Sequence, residues 1–292
     1  MKGKYRIYDG DNLLGEFENV ITNRGRIAIG RFLSQERSSW SDAIVIGAGS
    51  STPLASNESL DLEFWRDEID RASYDIPSGQ IKLRSRIPAQ VVGKIFEIGI
   101  YCTSTFDSGT VSGPVISAFD SLVESWTGGA ENTTDNRVGS SARDLSPSSG
   151  NGSASLDFET DLRSYTSETV FRLGYIAAAG ITSATVRFKS SATDYREYSF
   201  NPSSSGYNVE SWGLQDFSVV GNPQWTEIYE LEIIASGTGT MTFDALSAVD
   251  ERPNDVLTVL VSRALVNLNG QNFFQKKPQK ELQIEYVLEL NI

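Results

Sequence analysis

The chain carries almost none of the side chains that run chemistry near neutral pH. Its 292 residues include no histidine and a single cysteine, Cys102. Without an imidazole, Ser-His-Asp triads, Cys-His pairs and HExxH zinc sites are unavailable, together with most general-base chemistry near pH 7. One cysteine permits neither an intrachain disulfide nor a cysteine-based zinc site. Within the apolar run Ile98, Ile100, Tyr101, Cys102 reads as a small buried hydrophobe. Carboxylate-pair chemistry survives this filter, because glycoside hydrolysis needs only two acids ~5–9.5 Å apart in a cleft. The acids of the central region, Asp157, Glu159, Asp161 and Glu230, fall at alternating outward strand positions, which indicates solvation. The stretch GAGSS (Gly47–Ser51) lacks the Gly-Lys-Ser/Thr of a phosphate loop and reads as a turn. The expectation is a protein that is not an enzyme, with no catalytic residue assigned.

Binding chemistry is better represented. Tyr195, Tyr198, Tyr207 and Trp212 lie in the most polar, loop-like stretch, YREYSFNPSSSGYNVESWG. The C–H face of a pyranose packs on such rings when hydrogen-bonding groups flank them, so these four are the candidate glycan contacts. Trp126 and Trp225 adjoin strand-like runs and are expected in the core. The formal net charge of −13 argues against nucleic acid, whose phosphates require clustered Lys and Arg. No apolar run reaches ~18 residues and no apolar segment follows the start, so neither a membrane span nor a signal peptide is expected. Synthesis in a cytoplasm follows from that reading.

These residues must be positioned mostly by strands. Tyr5–Val20 reads as a hairpin about a DGDN turn at Asp9–Asn12. Thr22 to about Gln35 reads as a helix capped by Thr22 or Asn23, with Ile29, Phe32 and Leu33 on one face. Ala43–Gly49 is a short apolar strand, and Leu60–Ile69 a short amphipathic segment. Gln80–Pro88 and Gly93–Tyr101 alternate with a period of two, the signature of strands. A Gly/Ser/Thr-rich stretch, Thr103–Pro114, then marks a boundary. Beyond it come short strands punctuated by Ser, Gly and Asn, the pattern of a sandwich or jelly roll. After Asp250–Pro253 the first texture returns in Val256–Val266 and Leu282–Leu290, joined by a polar loop with Lys276, Lys277 and Pro278. Two such strands alone are marginal in water, so their partners are sought before the boundary. The expected fold is mainly β: a discontinuous small β domain with one or two short helices, residues 1–112 and 252–292, interrupted by an inserted β-sandwich (jelly roll), residues 115–250.

Several segments resemble a pattern recurring in tailed-bacteriophage virion proteins of the tail, baseplate and fibre. The pattern comprises a capped helix near Asn23, a glycine-ended strand like Ile44–Gly49 and a Leu-x-x-Glu-x-x-Arg-like segment matched imperfectly by Leu60, Glu63 and Arg66. An EIG-aromatic strand (Glu97, Ile98, Gly99, Ile100, Tyr101) and a Ser-Arg-Ala strand (Ser262, Arg263, Ala264) complete it. The resemblance covers about half the chain and departs from the simple version by the large insert. The insert is similar to the jelly rolls of carbohydrate-binding modules, opening at Phe119, Asp120, Ser121, Leu122 and Trp126 and closing at Trp225 to Leu246. In such modules the outer strands lie side by side and often share a structural calcium ion, which makes Asp120 and Asp244 the calcium candidates; no other cofactor is required. Together these resemblances imply a structural component of a phage virion, assembled in the host cytoplasm. Its partners would be other virion proteins and further copies of itself in a trimer or ring, with Leu282–Ile292 contributing to those contacts. A host-surface glycan would be its ligand, held through avidity. Two alternatives share the build: a capsid decoration protein, and a free carbohydrate-binding or glycan-degrading protein. The missing signal peptide counts against the second.

Overall fold

A computed structural model describes residues 2–36, 38–102, 115–121, 123–162, 165, 167, 169–250, 259–268 and 270–289. The Thr103–Pro114 and Glu251–Pro253 boundary stretches, Leu122, and the ends of the two C-terminal strands (256–258 and 290–292) lie outside the described residues. The chain separates into two compact units, Met1–Pro114 with Glu251–Ile292, and Val115–Asp250.

Before residue 103 the chain forms β1 (Lys2–Asp9), β2 (Asn12–Glu18), β3 (Val20–Ile21), α1 (Asn23–Leu33), β4 (Ala43–Gly47), β5 (Glu63–Glu68), β6 (Arg71–Asp75), β7 (Gln80–Ile87), β8 (Gly93–Ile95) and β9 (Glu97–Cys102). The middle supplies β10 (Val115–Ser117), β11 (Trp126–Thr127), β12 (Ala130–Asn132), β13 (Ala142–Leu145), β14 (Asn151–Thr160), β15 (Thr169–Ala177), β16 (Ile181–Lys189), β17 (Tyr195–Phe200), β18 (Tyr207–Gly213), β19 (Ser218–Val220), β20 (Ile228–Gly237) and β21 (Met241–Asp250). The last segment contributes β22 (Val259–Leu265), β23 (Phe274–Lys276) and β24 (Leu282–Glu289). The fold is mainly β, and α1 is the one α-helix among the described residues, with a 3-10 turn at Leu214–Asp216.

The first unit holds two five-stranded antiparallel sheets, ordered β2-β1-β24-β7-β6 and β3-β22-β9-β4-β5. Tyr5 of β1 links them, its hydroxyl 2.5 Å from Ser262 Oγ of β22. Helix α1 starts because Thr22 caps it: the Thr22 hydroxyl accepts from the Gly25 amide at 2.8 Å and itself donates to the Leu260 carbonyl. A side chain at position 25 would collide with the Val261 carbonyl, so glycine lets the helix lie directly on β22. Ile29 is buried as its spacing predicted, whereas Leu33 is 70% exposed and Phe32 37%; the hydrophobic face narrows toward the helix end. The Leu60–Ile69 segment contains strand β5, which pairs with β4. The single strand read across Gly93–Tyr101 divides at Phe96 into β8, paired with β23, and β9. Both faces of β9 are buried, Cys102 included. Lys276, read as loop, is the buried end of β23, its ammonium donating to the Lys277 carbonyl at 3.1 Å. The C-terminal strand β24 lies between β1 and β7 with both ladders filled. Its backbone from Leu282 to Glu289 is therefore not open to a further strand.

The second unit is a sandwich of two antiparallel sheets. One runs β12-β13-β21-β15-β18, with β10 also on β21; the other runs β11-β14-β20-β16-β17-β19. Alternate residues of β15, β16, β20 and β21 meet between them, including Phe171, Leu173, Val186, Phe188, Leu231, Ile233 and Phe243. Trp126 and Trp225 pack partly buried against this core.

Candidate ligand-binding site

The sequence-expected aromatic residues stand on strands rather than in a loop, and strand alternation disperses them. Tyr198 and Phe200 of β17 and Trp212 of β18 point between the two sheets. Trp212 is 3% exposed and stacks flat on Tyr198, with centroids 4.5 Å apart and planes within 7°, and on Phe171 at 5.8 Å. The Tyr198 hydroxyl donates to Glu210 at 2.7 Å, closing the edge of the sandwich between β17 and β18. Burial and the hydrogen bond to Glu210 push that phenol well above its usual range. Trp212 and Tyr198 are thus core and clasp rather than a sugar platform. Tyr195 occupies the opposite face of β17 beneath the Arg187 guanidinium, 4.7 Å from its ring centroid. Its surroundings there are saturated ion pairs, Arg187 with Glu197 (2.6 Å) and Glu232 (3.2 Å), Lys189 with Glu230 (2.8 Å). Asp157 stands in register with Glu230 on β20 and is exposed like Glu159 and Asp161.

Tyr207 has different company. Ladder registers place Asp144, Thr242, Ile176 and Tyr207 side by side across β13, β21, β15 and β18. Their strand neighbours Leu145, Phe243 and Tyr175 are in the core, so this row faces outward. The Tyr207 hydroxyl donates to Asp244 at 2.6 Å, and the Arg137 guanidinium covers one ring face at 3.7 Å. Asp144 accepts from Thr242 at 2.6 Å and from the Asn132 amide at 3.1 Å. Asn132 also reaches Asp135 at 3.2 Å. The result is a row with an aromatic ring at one end and a carboxylate and amide at the other, all part-exposed, with the Thr242 hydroxyl buried between them. Sequence offered Asn132 only as the start of an Asn-Thr-Thr glycosylation triplet and did not single out Arg137 or Asp144; ladder register aligns Asn132 and Asp144 with Tyr207, and a loop held by Asp244 brings Arg137 over its ring.

Asp244 and Asp120 anchor the loop that carries Arg137. Asp244 is fully buried and accepts backbone amides of Arg137 (3.0 Å) and Val138 (3.2 Å). Burial pushes its carboxyl up to about 7, overcoming the three donors and the nearby Arg137 charge that favour ionisation. Burial, then the Asp244 charge, likewise holds the Tyr207 phenol well above its usual range. Asp120, 4% exposed, accepts the Ser140 amide at 2.5 Å and the Ser141 hydroxyl at 3.3 Å. Gly139 makes the loop's turn with φ 71°, where a side chain would press within 2.8 Å of Asp120 Oδ2. The two aspartates therefore grip one loop from within the fold. The carboxylate oxygens that the resemblance offered to calcium accept here from loop amides and hydroxyls. Among the described residues no three His, Cys, Asp or Glu side chains gather where they could hold a metal ion.

The first unit has a charged cluster of another kind, built by the motifs that carried the phage resemblance. Arg263, fully buried on β22, donates to Glu97 at 2.8 Å, Asp61 at 2.7 Å and Asn57 at 3.2 Å. Glu97, also fully buried, accepts backbone amides of Gly49 (3.0 Å), Leu62 (3.1 Å) and Asp61 (3.2 Å). Burial raises the Glu97 carboxyl despite Arg263; burial raises that of Asp61 too, but Arg263 and Ser51 more than offset it and leave it lowered. Glu63 and Arg66 form a bidentate pair at 2.7 and 2.8 Å. Every carboxylate oxygen named here is engaged, so the cluster is a structural tie.

No protein-family model and no curated protein matches the chain. Among solved structures it is similar to a family 11 carbohydrate-binding module of the Clostridium thermocellum cellulase Lic26A-Cel5E, at 10% identity and TM-score 0.37 over 47% of this chain and 93% of that one. Similarity also extends to PfGH50B, at 8% identity and TM-score 0.35 over 46% of this chain, and to the enzymatically active domain of bacteriophage CBA120 tailspike protein 4, at 18% identity and TM-score 0.27 over 42%. The chain spans 23% of the length of PfGH50B and 18% of that tailspike domain. Among the described residues, no helix is long and apolar enough to cross a membrane.

Proposed function

We propose that the chain is a non-catalytic binding and structural protein whose second unit holds a glycan on the outward row from Asp144 to Tyr207. One observation carries this reading: an aromatic ring is fixed by Asp244 and Arg137 in line with the Asp144–Thr242–Asn132 group. Neighbouring sugar hydroxyls suit a carboxylate and an amide, while the Tyr207 ring face opposite Arg137 takes the C–H face. Because these side chains are already held by one another, little rotamer freedom is lost on binding. A glycan array probed with the full chain tests the reading. Binding to a defined oligosaccharide, lost in Asp144→Ala, is the expected result; silence across the array from a folded protein removes the ligand.

The first unit serves as a body for assembly in a tailed-phage virion. Support comes from the convergence of the resembling motifs, Gly49, Asp61, Glu97 and Arg263, on one buried network. Immunogold labelling of purified particles against particle-free lysate tests this role. Label along the tail or baseplate is expected; label on the capsid would favour a decoration protein, and its absence from particles would leave a free binding protein.

A further inference from the structure

Strand β6 is the edge of its sheet and is exposed along almost its whole length, on both faces: Arg71, Ala72, Ser73 and Tyr74 are all exposed. Tyr74 is 50% and Ile76, just beyond the strand, 79% exposed. Open ladders of this kind accept another strand unless charge, proline or a bulge blocks them.

Charge along β6 is arranged unusually. A cross-strand row runs Glu16, Arg6, Glu285, Arg84, Arg71 over β2, β1, β24, β7 and β6. The first four alternate in sign and pair, Arg6 with Glu16 at 2.6 Å and Arg84 with Glu285 at 2.7 Å. The row then ends with Arg71 directly opposite Arg84. Like charges in register destabilise a sheet, and Arg71 has no carboxylate partner among the described residues. A carboxylate supplied from outside the edge would restore the alternation.

The strand itself carries that carboxylate. Its sequence is Arg71-Ala72-Ser73-Tyr74-Asp75. When two copies run antiparallel about Ser73, Arg71 of each lies opposite Asp75 of the other, and Tyr74 opposite Ala72. We propose that β6 is a self-complementary interface through which a second copy of this chain pairs antiparallel, joining two five-stranded sheets into one. The pairing is isologous, as a two-fold contact requires. It removes the Arg71–Arg84 conflict and covers the exposed Tyr74. Asp75 already accepts from Lys82 at 3.0 Å and from Ser78 in its own chain; each carboxylate oxygen has two acceptor sites, so Arg71 of the second copy shares it. This inference deepens the assembly reading by naming a partner, and it can fail without touching the particle-labelling result.

Sedimentation velocity of the full chain from micromolar to millimolar concentration tests it. The unaltered protein is expected to shift from monomer to dimer with concentration. Arg71→Glu and Asp75→Arg should each weaken association at least about tenfold, which is about 1.4 kcal/mol, and the double exchange should recover it. Melting curves check that each variant stays folded, since both positions lie on an edge strand. A monomer at every concentration overturns the proposal, as does a dimer indifferent to either substitution, or a double exchange no better than the single changes.

Discussion

The two units bury charge by opposite means. In the first, Glu97 is fully buried against a fully buried Arg263, so that each charge meets its opposite. In the second, Asp244 is equally buried but receives only two backbone amides and a phenol, with Arg137 nearby over the Tyr207 ring. An ion pair inside a protein supports its neighbours mainly by not being broken; a carboxylate held by neutral donors remains open to a proton. The first arrangement suits a body that must be invariant. The second ties the loop that carries Arg137 to a group that titrates.

The largest effect should come from breaking the pair. Arg263→Met leaves Glu97 buried without its counter-charge, and equilibrium unfolding should show a loss of ~3–5 kcal/mol. Adding Glu97→Gln should return part of that loss. If Arg263→Met is as stable as the parent, the network is not the tie described. Next comes pH. Asp244 titrates at about 7 in the folded chain and near 3.9 unfolded, so the folded state holds the extra proton between those values. Its contribution is complete below pH ~4 and is lost as pH rises to about 7, by up to about 4 kcal/mol. Asp244→Asn should flatten that part of the stability–pH curve; an unchanged slope would assign it elsewhere. Tyr207→Phe removes one donor from Asp244 and should cost ~1–3 kcal/mol, measured by urea unfolding near neutral pH. Tyr195→Ala, on the ion-paired outer face of β17, should change stability by no more than ~0.5 kcal/mol; a larger loss would make that face structural.

Local patterning made most strands legible, because Ile81, Leu83 and Ile87 alternate with charged residues and strand geometry has a period of two. The cap at Thr22 was equally visible, since its hydroxyl acts on residues next to it. What escaped were features set by distant segments. Strand β9 has no outward face, since its residues are buried on both sides and Leu60 packs with Tyr101, so its apparent alternation carried no direction. Trp212 sat in a polar run whose side chains happen to alternate about an inward tryptophan. Asp120 and Asp244 were noticed for their phenylalanine neighbours, yet their role follows from loop amides at residues 137–140 that no spacing rule connects to them. Asn132 and Asp144 are aligned with Tyr207 only through ladder registers, while Arg137 covers its ring from a loop held by Asp244. Those registers are set by the whole sandwich rather than by any window of sequence.

Titration calorimetry of the full chain with an array-selected oligosaccharide tests the central claim most directly. Run in parallel on the parent protein, Asp144→Ala and Tyr195→Ala, it should find heat of binding abolished by the first substitution and untouched by the second. Binding that survives at Asp144 and disappears at Tyr195 would move the ligand to the other sheet and contradict the account.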